Sequence, residues 1–128
     1  EKQQSYQSAP SGVPLVQHSL LLMLQYAKEG KIPVEKIVEK MCHAPAICFQ
    51  VEKRGFIREG YWADMVLVDL NGNTKVSKDN ILYKCGWSPL EGHNFPAEIR
   101  YTLVNGEIAY ENGKVNDSIR GKRLSFER

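Results

Sequence analysis

The stretch that decides the fold runs from Gly55 to Asp69 and reads GFIREGYWADMVLVD. Gly55 and Gly60 interrupt its first half, and glycine is the residue at which a chain turns most freely. Its second half contains MVLV at residues 65–68, a compact run rich in strand-forming residues. A short apolar run bounded by turns predicts a buried strand. The chain is therefore expected to enter a sheet here.

The sequence before residue 50 has helical spacing instead. A helix is predicted over residues 15–28, a second from Pro33 to about residue 42, and a short third one over residues 46–49. The first carries apolar residues on two stripes, which a short chain can hardly cover on both sides. One stripe consists of Val16, Leu20, Met23, Leu24 and Ala27, and the other of Leu15, Leu22 and Tyr26.

The clearest local signal lies after residue 100. Two alternating runs, 101–104 and 107–110, enclose Asn-Gly at 105–106. This pattern predicts a type I′ hairpin, because both turn residues must accept a positive φ. Asn-Gly at 112–113 and 71–72 predicts the same turn. The chain is thus expected to run from loop to helices to strands.

Composition limits the classes of function. The chain has 128 residues, of which 42% are apolar and 25% charged. It is not disordered by composition, and it is too short for a complete (β/α)8 barrel of about 200 residues. The longest apolar run, Leu20–Leu24, is far below the roughly 20 residues of a membrane span, so no membrane partner is predicted. The first residue is Glu1 rather than Met, so the chain is expected to come from something longer.

Charge and cysteine content bear on partners and compartment. Residues 114–128 hold five basic and two acidic residues, a net charge of +3, with Phe126 as the one aromatic residue. Terminal charge of this kind is usually solvated, so no nucleic-acid partner is predicted. The three cysteines form no C-x-x-C pair, which favours a reducing cytoplasm over a secreted disulfide framework.

Residue chemistry alone supplies no catalytic apparatus. Cys42, His43 and Cys48 could seed a metal site or a nucleophilic pair. Zinc needs three or four convergent ligands, however, and Cys42 continues the apolar face of its helix, which favours a buried structural thiol. Asp64 and Asp69 flank the predicted strand, and a capping role is favoured over a catalytic carboxylate pair.

Gly12 lies between Pro10 and Pro14, ahead of the first helix. A residue without a Cβ either lets a ligand approach the backbone or simply turns the chain. The residues themselves leave both interpretations open.

The opening stretch resembles a segment of the cyclic-amide amidohydrolases, K-G-x-I-x-x-G-x-x-A-D followed by four apolar residues and Asp. Three further segments resemble motifs of the same family, in family order. HAPAICF at 43–49 resembles an N-P-A-x-x-F helix, with Ala44 in place of Asn. SPLEG at 88–92 resembles an S-P-F-E-G turn. TLVNGEIAY at 102–110 resembles the T-h-h-x-G-x-h-h-Y hairpin, where h is apolar.

Within that superfamily the chain most resembles the dihydroorotases. Their D-H-A-P-H strand is followed by Glu-Lys and then A-P-x-G-h-x-G-x-E. Glu1-Lys2 and APSGVPLVQ at residues 9–17 resemble this loop, with Gln17 where Glu is common.

The resemblance implies an α/β fold. Residues 1–51 would be the last loop and outer helices of a (β/α)8 metal-dependent hydrolase barrel. Residues 52–128 would be the C-terminal portion of a small β-sandwich domain. The segment alone would look α+β, and the remainder of the same polypeptide would be its partner.

The resemblance also implies a reaction: the interconversion of carbamoyl-aspartate and dihydroorotate in pyrimidine biosynthesis. Family enzymes use zinc, held by residues that would all lie before Glu1. No catalytic residue, metal ligand or bound cofactor is therefore expected within residues 1–128, and the isolated segment is expected to be inactive. Ser11 and Gly12 alone map onto a substrate-contacting position, through their backbone groups.

Several alternatives stay open. One is a hydantoinase- or allantoinase-type relative, or a metal-free homologue kept as a structural partner. Another, of a different class, is a free-standing α+β binding module that uses the edge of the 101–110 hairpin or the basic tail. A homodimer is also left open.

Overall fold

The computed structural model describes residues 3–127, in which a helical part precedes a part built of strands. This is the α+β arrangement expected of the segment. The helices are α1 (Ser19–Lys28), α2 (Val34–Val38) and α3 (Ala44–Cys48), with a π-helical turn at Glu39–His43 between α2 and α3. The strands are β1 (Met65–Asp69), β2 (Thr74–Lys75), β3 (Asn94–Phe95), β4 (Glu98–Val104), β5 (Glu107–Glu111) and β6 (Lys114–Val115).

The strands form two antiparallel sheets. One has four strands in the order β1-β4-β5-β6, and the other pairs β2 with β3. Strand β1 lies where MVLV predicts it, with Met65 opposite Leu103. Its expected burial is wrong, because Val66 is 45% and Leu67 48% exposed. The reason is topological: β1 is an edge strand of its sheet.

Two of the three Asn-Gly turns have the predicted geometry. Asn105 and Gly106 have φ angles of 53° and 88°, and residues 112 and 113 have 44° and 89°. The prediction for Asn71-Gly72 is wrong, since neither residue has a positive φ. Glycine is needed there for another reason: a Cβ on Gly72 would lie 2.5 Å from the Cβ of Glu98.

The main core joins the helical part to the strands. Its buried members are Leu21, Leu24, Val76, Phe95 and Ala97. Leu21 lies on neither predicted stripe, yet it is only 3% exposed. The buried face is instead centred on Leu21 and Leu24, because β3 with Phe95 packs on that side. The helix also begins at residue 19 rather than 15, after a turn over residues 15–18.

His18 is the polar residue of this core. It is 1% exposed, and its ring stacks on Phe95 with 6.1 Å between ring centroids. The ring of Tyr83 meets it edge-on at 6.3 Å. No described residue forms a hydrogen bond with His18 Nδ1 or Tyr83 Oη. Desolvation by burial lowers the pKa of His18 below 6.5.

Gly55 lies where the segment that leads to β1 packs closely against the helical part. Its φ is +78°, and a Cβ there would overlap the Cβ of Ala46 and lie 2.8 Å from the carbonyl oxygen of Cys42. Glycine is therefore required twice at this position, by the left-handed backbone and by the space.

The basic tail returns to this junction. Residues 120–127, here called the C-terminal strap, run along residues 50–52, with Glu52 N donating to Ser125 O and Glu127 N to Gln50 O, both at 3.0 Å. Val51 and Phe126 form an antiparallel bridge. The tail is thus fixed through its backbone while its charged side chains stay exposed. Arg128 lies outside the described residues. No helix in the described chain is long and apolar enough to cross a membrane.

We predict that Gly55→Ala destabilises the fold far more than Gly60→Ala. The two glycines have matching φ angles, +78° and +79°, but a Cβ on Gly60 would meet no atom within 4 Å. Backbone strain of about 1 kcal/mol is common to both variants, and overpacking should add about 2 kcal/mol at Gly55 alone. Urea denaturation measures both values, and equal losses would contradict the close approach.

We also predict that stability falls with acidification through His18. Because its pKa is lowered in the folded state, the unfolded chain binds the proton more readily. The stabilising contribution is complete above pH 6.5 and is lost as the pH falls below that value, by at most about 1.4 kcal/mol per pH unit. His18→Phe keeps an aromatic ring on Phe95 and should flatten this part of the profile. If the variant kept the same slope of stability against pH, the pH dependence would come from a group other than His18.

Candidate functional site

The loop before α1 contains the two residues assigned a substrate contact by resemblance. Ser11 and Gly12 are exposed, and Gly12 has φ +80° with no atom within 4 Å of the place of a Cβ. Upstream, the amides of Ser8 and Ala9 both donate to Ser5 O at 2.9 Å. The loop thus presents backbone groups on an open surface. Glu1-Lys2, compared with the family loop above, lie outside the described residues.

Gln17 fixes the end of this loop to the strand-bearing part. Its Nε2 donates to Asn80 O at 2.7 Å, and its Oε1 accepts from Leu82 N at 2.9 Å. An amide can donate and accept at once, whereas an ionised carboxylate accepts only. Gln17 stands where the dihydroorotases commonly have Glu, and its amide makes two hydrogen bonds that an ionised carboxylate could not both make.

A cavity of about 570 Å³ lies beside Gln17, between the start of α1 and the sheet. Leu21, Leu82 and Ile99 contribute apolar wall, and Asn80 contributes an amide. Glu98 is the carboxylate in the cavity wall, and it forms an ion pair with Arg100 at 3.3 Å. These groups can pack against and hydrogen-bond a ligand, but they include no nucleophile oriented by a base.

The helical cysteines do not form the buried thiol predicted for Cys42. Cys42 and Cys48 are both exposed, while the ring of His43 stacks on Phe56 at 4.3 Å. The π-helical turn at Glu39–His43 contains Cys42 and widens the helix there, so this residue leaves the face on which Ile37 is buried.

The described residues do not fit a zinc ion. Within residues 3–127, no three His, Cys, Asp or Glu side chains lie together in a way that could hold a metal. Structural and catalytic zinc sites require three or four such ligands. No reaction step can therefore be assigned to a metal held by this part of the chain.

The two aspartates have structural partners. Asp64 accepts a hydrogen bond from Asn105 N at 2.7 Å and forms an ion pair with Arg54. Asp69 accepts from the amide of residue 71 at 2.9 Å and pairs with Arg100 at 3.0 Å. The backbone hydrogen bond, followed by the guanidinium, lowers the pKa of Asp69. Both carboxylates thus stabilise strand ends and turns.

Sequence reasoning missed three polar residues that connect distant segments. His18 enters the core, and His93 Nε2 lies 2.7 Å from Gln25 Oε1. The His93 ring also meets Phe95 edge-on at 4.6 Å. Gln25 and His93 are 68 residues apart in sequence, so no local spacing could have identified their contact.

Most of the chain is similar in sequence to one family of known proteins. Residues 9–109 match the model of the amidohydrolase family. The dihydroorotase of Pyrococcus furiosus is 30% identical over 118 residues, which are 92% of this chain and 28% of that protein. The dihydroorotase of Halobacterium salinarum is 36% identical over 118 residues, 91% of this chain and 27% of that protein. The chain spans little more than a quarter of these relatives.

Solved structures give a matching result. The L-hydantoinase (dihydropyrimidinase) from Arthrobacter aurescens superposes with a TM-score of 0.76 at 30% identity, over 84% of this chain and 24% of that one. A D-hydantoinase superposes with a TM-score of 0.75 at 24% identity, over 85% of this chain and 24% of that one, a likeness of fold. The family match covers well over half of the sequence, as the motif resemblance predicted, and the chain belongs to the amidohydrolase family.

Proposed function

We propose that this chain is part of a cyclic-amide hydrolase whose substrate pair is dihydroorotate and carbamoyl-aspartate. The observation that carries this proposal is the similarity to dihydroorotases, which extends over 91–92% of the chain in the two relatives above. In this proposal, residues 1–51 complete a (β/α)8 barrel and residues 52–128 belong to the small β-domain. Zinc would be bound elsewhere in the same polypeptide, since the described residues do not fit it.

The contribution of this chain to the reaction would be positioning. The loop at Ser11 and Gly12 would offer backbone N–H and C=O groups to the amide edge of the ring. Two features support this role: the open left-handed backbone at Gly12 and the fixation of the loop by Gln17. Preorganised backbone groups hold a substrate without loss of side-chain entropy. Proton transfer and water activation would be left to groups outside residues 3–127.

A hydantoinase-type activity is the second candidate. The specific observation in its favour is the superposition with the L-hydantoinase from Arthrobacter aurescens, which is 30% identical over the aligned part. Hydantoin and dihydroorotate share a cyclic imide or amide, so the backbone contacts proposed for residues 11 and 12 would serve either ring.

A substrate comparison tests the proposed function. In the polypeptide that contains both this chain and a metal-binding portion, we expect kcat/KM to be highest for dihydroorotate when hydantoin and allantoin are offered in parallel. The 128-residue chain by itself should show no turnover. A preference for hydantoin would establish the second candidate, and turnover by the isolated chain would overturn the positioning role.

The loop contact has its own test in the same polypeptide. Gly12→Ala and Gly92→Ala both place a Cβ on a left-handed backbone, φ +80° and +83°, in open space. Each should cost about 1 kcal/mol of stability. If the loop holds the substrate, only Gly12→Ala should also raise KM, by about tenfold for one misplaced hydrogen bond. Equal KM values in the two variants would show that the Gly12 loop is an ordinary turn.

A further inference from the structure

A pocket of about 470 Å³ lies between residues 52–62 and the C-terminal strap. Lys53 and Trp62 line it from the first segment, and Arg123 lines it from the strap. Glu52 is the carboxylate of its wall. The pocket therefore exists only because the basic tail folds back on a segment some 70 residues earlier in the sequence.

Positive charge in and beside this pocket is not neutralised. Lys53, Lys122 and Arg123 are exposed, and none of them forms an ion pair with a carboxylate of residues 3–127. Lys122 stands beside the pocket, with Nζ 4.4 Å from the centre of the Trp62 ring. Arg54 is different, because Asp64 pairs with it. Two unpaired cations and one carboxylate thus line the pocket, and a third unpaired cation stands beside it.

The pocket walls are held by backbone hydrogen bonds. Glu52 N donates to Ser125 O, and Trp62 N donates to Lys53 O, both at 3.0 Å. Lys53 itself has a φ of 53°, a left-handed conformation that residues other than glycine seldom adopt. Such conformations persist where the surrounding structure enforces them, and they cluster at ligand-binding positions. The cations are therefore mounted on a fixed backbone rather than on a free tail.

We propose that this pocket binds a small, multiply charged phosphate anion, of the pyrophosphate or tripolyphosphate kind. Lysine and arginine side chains recognise phosphate oxygens by charge-assisted hydrogen bonds. A concave site lined by two unpaired cations, with a third beside it, suits a compact anion better than an extended strand. The anion could be free or could be the phosphate end of a nucleotide, because the recognised group is the same.

The aromatic ring favours the phosphate over a nucleobase as the recognised group. Trp62 already contacts two cations, Lys122 at 4.4 Å and the guanidinium carbon of Arg54 at 5.5 Å from its ring centre. A base that stacked on a face held by one of these cations would have to displace that cation. The ring therefore serves to position Lys122.

Isothermal titration with sodium pyrophosphate tests the proposal on the polypeptide that contains this chain. Measurements at about 10 mM ionic strength keep the interaction unscreened, since the Debye length is then about 30 Å. We expect saturable binding of one anion, weakened about tenfold by Lys53→Gln and by Arg123→Gln, because each variant loses a charge-assisted hydrogen bond. Lys84→Gln is the matched control: Lys84 is also an exposed lysine but lies outside the pocket, and its replacement should leave the affinity unchanged.

Two further ligands distinguish a free phosphate chain from the phosphate end of a nucleotide. Adenosine triphosphate and tripolyphosphate should bind with similar affinity if the phosphate chain alone is recognised, while a marked advantage for the nucleotide would overturn the role given to Trp62. Absence of pyrophosphate binding would overturn the proposal, as would equal weakening by Lys84→Gln. Tighter binding of a thymidine dodecamer than of tripolyphosphate would also overturn it, in favour of a nucleic-acid surface. Circular dichroism spectra of all variants verify that each is folded.

Discussion

The rest of the structure depends on the burial of one face of α1 against β3. Leu21 and Leu24 pack with Phe95, which is fully buried, and this contact joins the helical part to the strands. Burying three such side chains stabilises a fold by several kcal/mol, of the order of 2 kcal/mol each. The same contact also determines where the start of α1 lies. It brings His18 into the core and places Gln17 within hydrogen-bonding distance of residues 80–82.

The junction at residue 55 obeys a steric constraint rather than a hydrophobic one. Gly55 packs so closely on the helical turn at residues 42–46 that no side chain can be accommodated. The C-terminal strap covers the neighbouring residues 50–52 through backbone hydrogen bonds. The motif that carries the family resemblance is therefore also the place where three separate segments meet. Its glycine is explained by contact geometry, and its aspartates by the partners that they hold.

The local features were predictable, and the long-range ones were not. The hairpin turn at Asn105 follows from its turn residues together with the alternating runs on either side. The same dipeptide at residues 71–72 forms no such turn, because the strands on either side of it belong to different sheets. The exposure of Cys42 could not be predicted, because it results from a π-helical turn that helical periodicity does not reveal. Gln17 raises a different difficulty: its partners lie 63 and 65 residues away. Family resemblance assigned the Ser11-Gly12 loop a substrate contact, but only the fold explains how that loop is held.

The distribution of exposed apolar side chains bears on the proposed place of this chain in a larger hydrolase. Ile57 is 88% exposed, and Ile47 and Phe49 are each 67% exposed, all near the junction of the helical and strand-bearing parts. Leaving side chains of this size in water forgoes about 1.5–3 kcal/mol each. Exposed apolar side chains that cluster mark a contact site, and these three lie within eleven residues of the sequence. In the proposed assignment, the remainder of the polypeptide packs on these three side chains, none of which lines the pocket between residues 52–62 and the C-terminal strap.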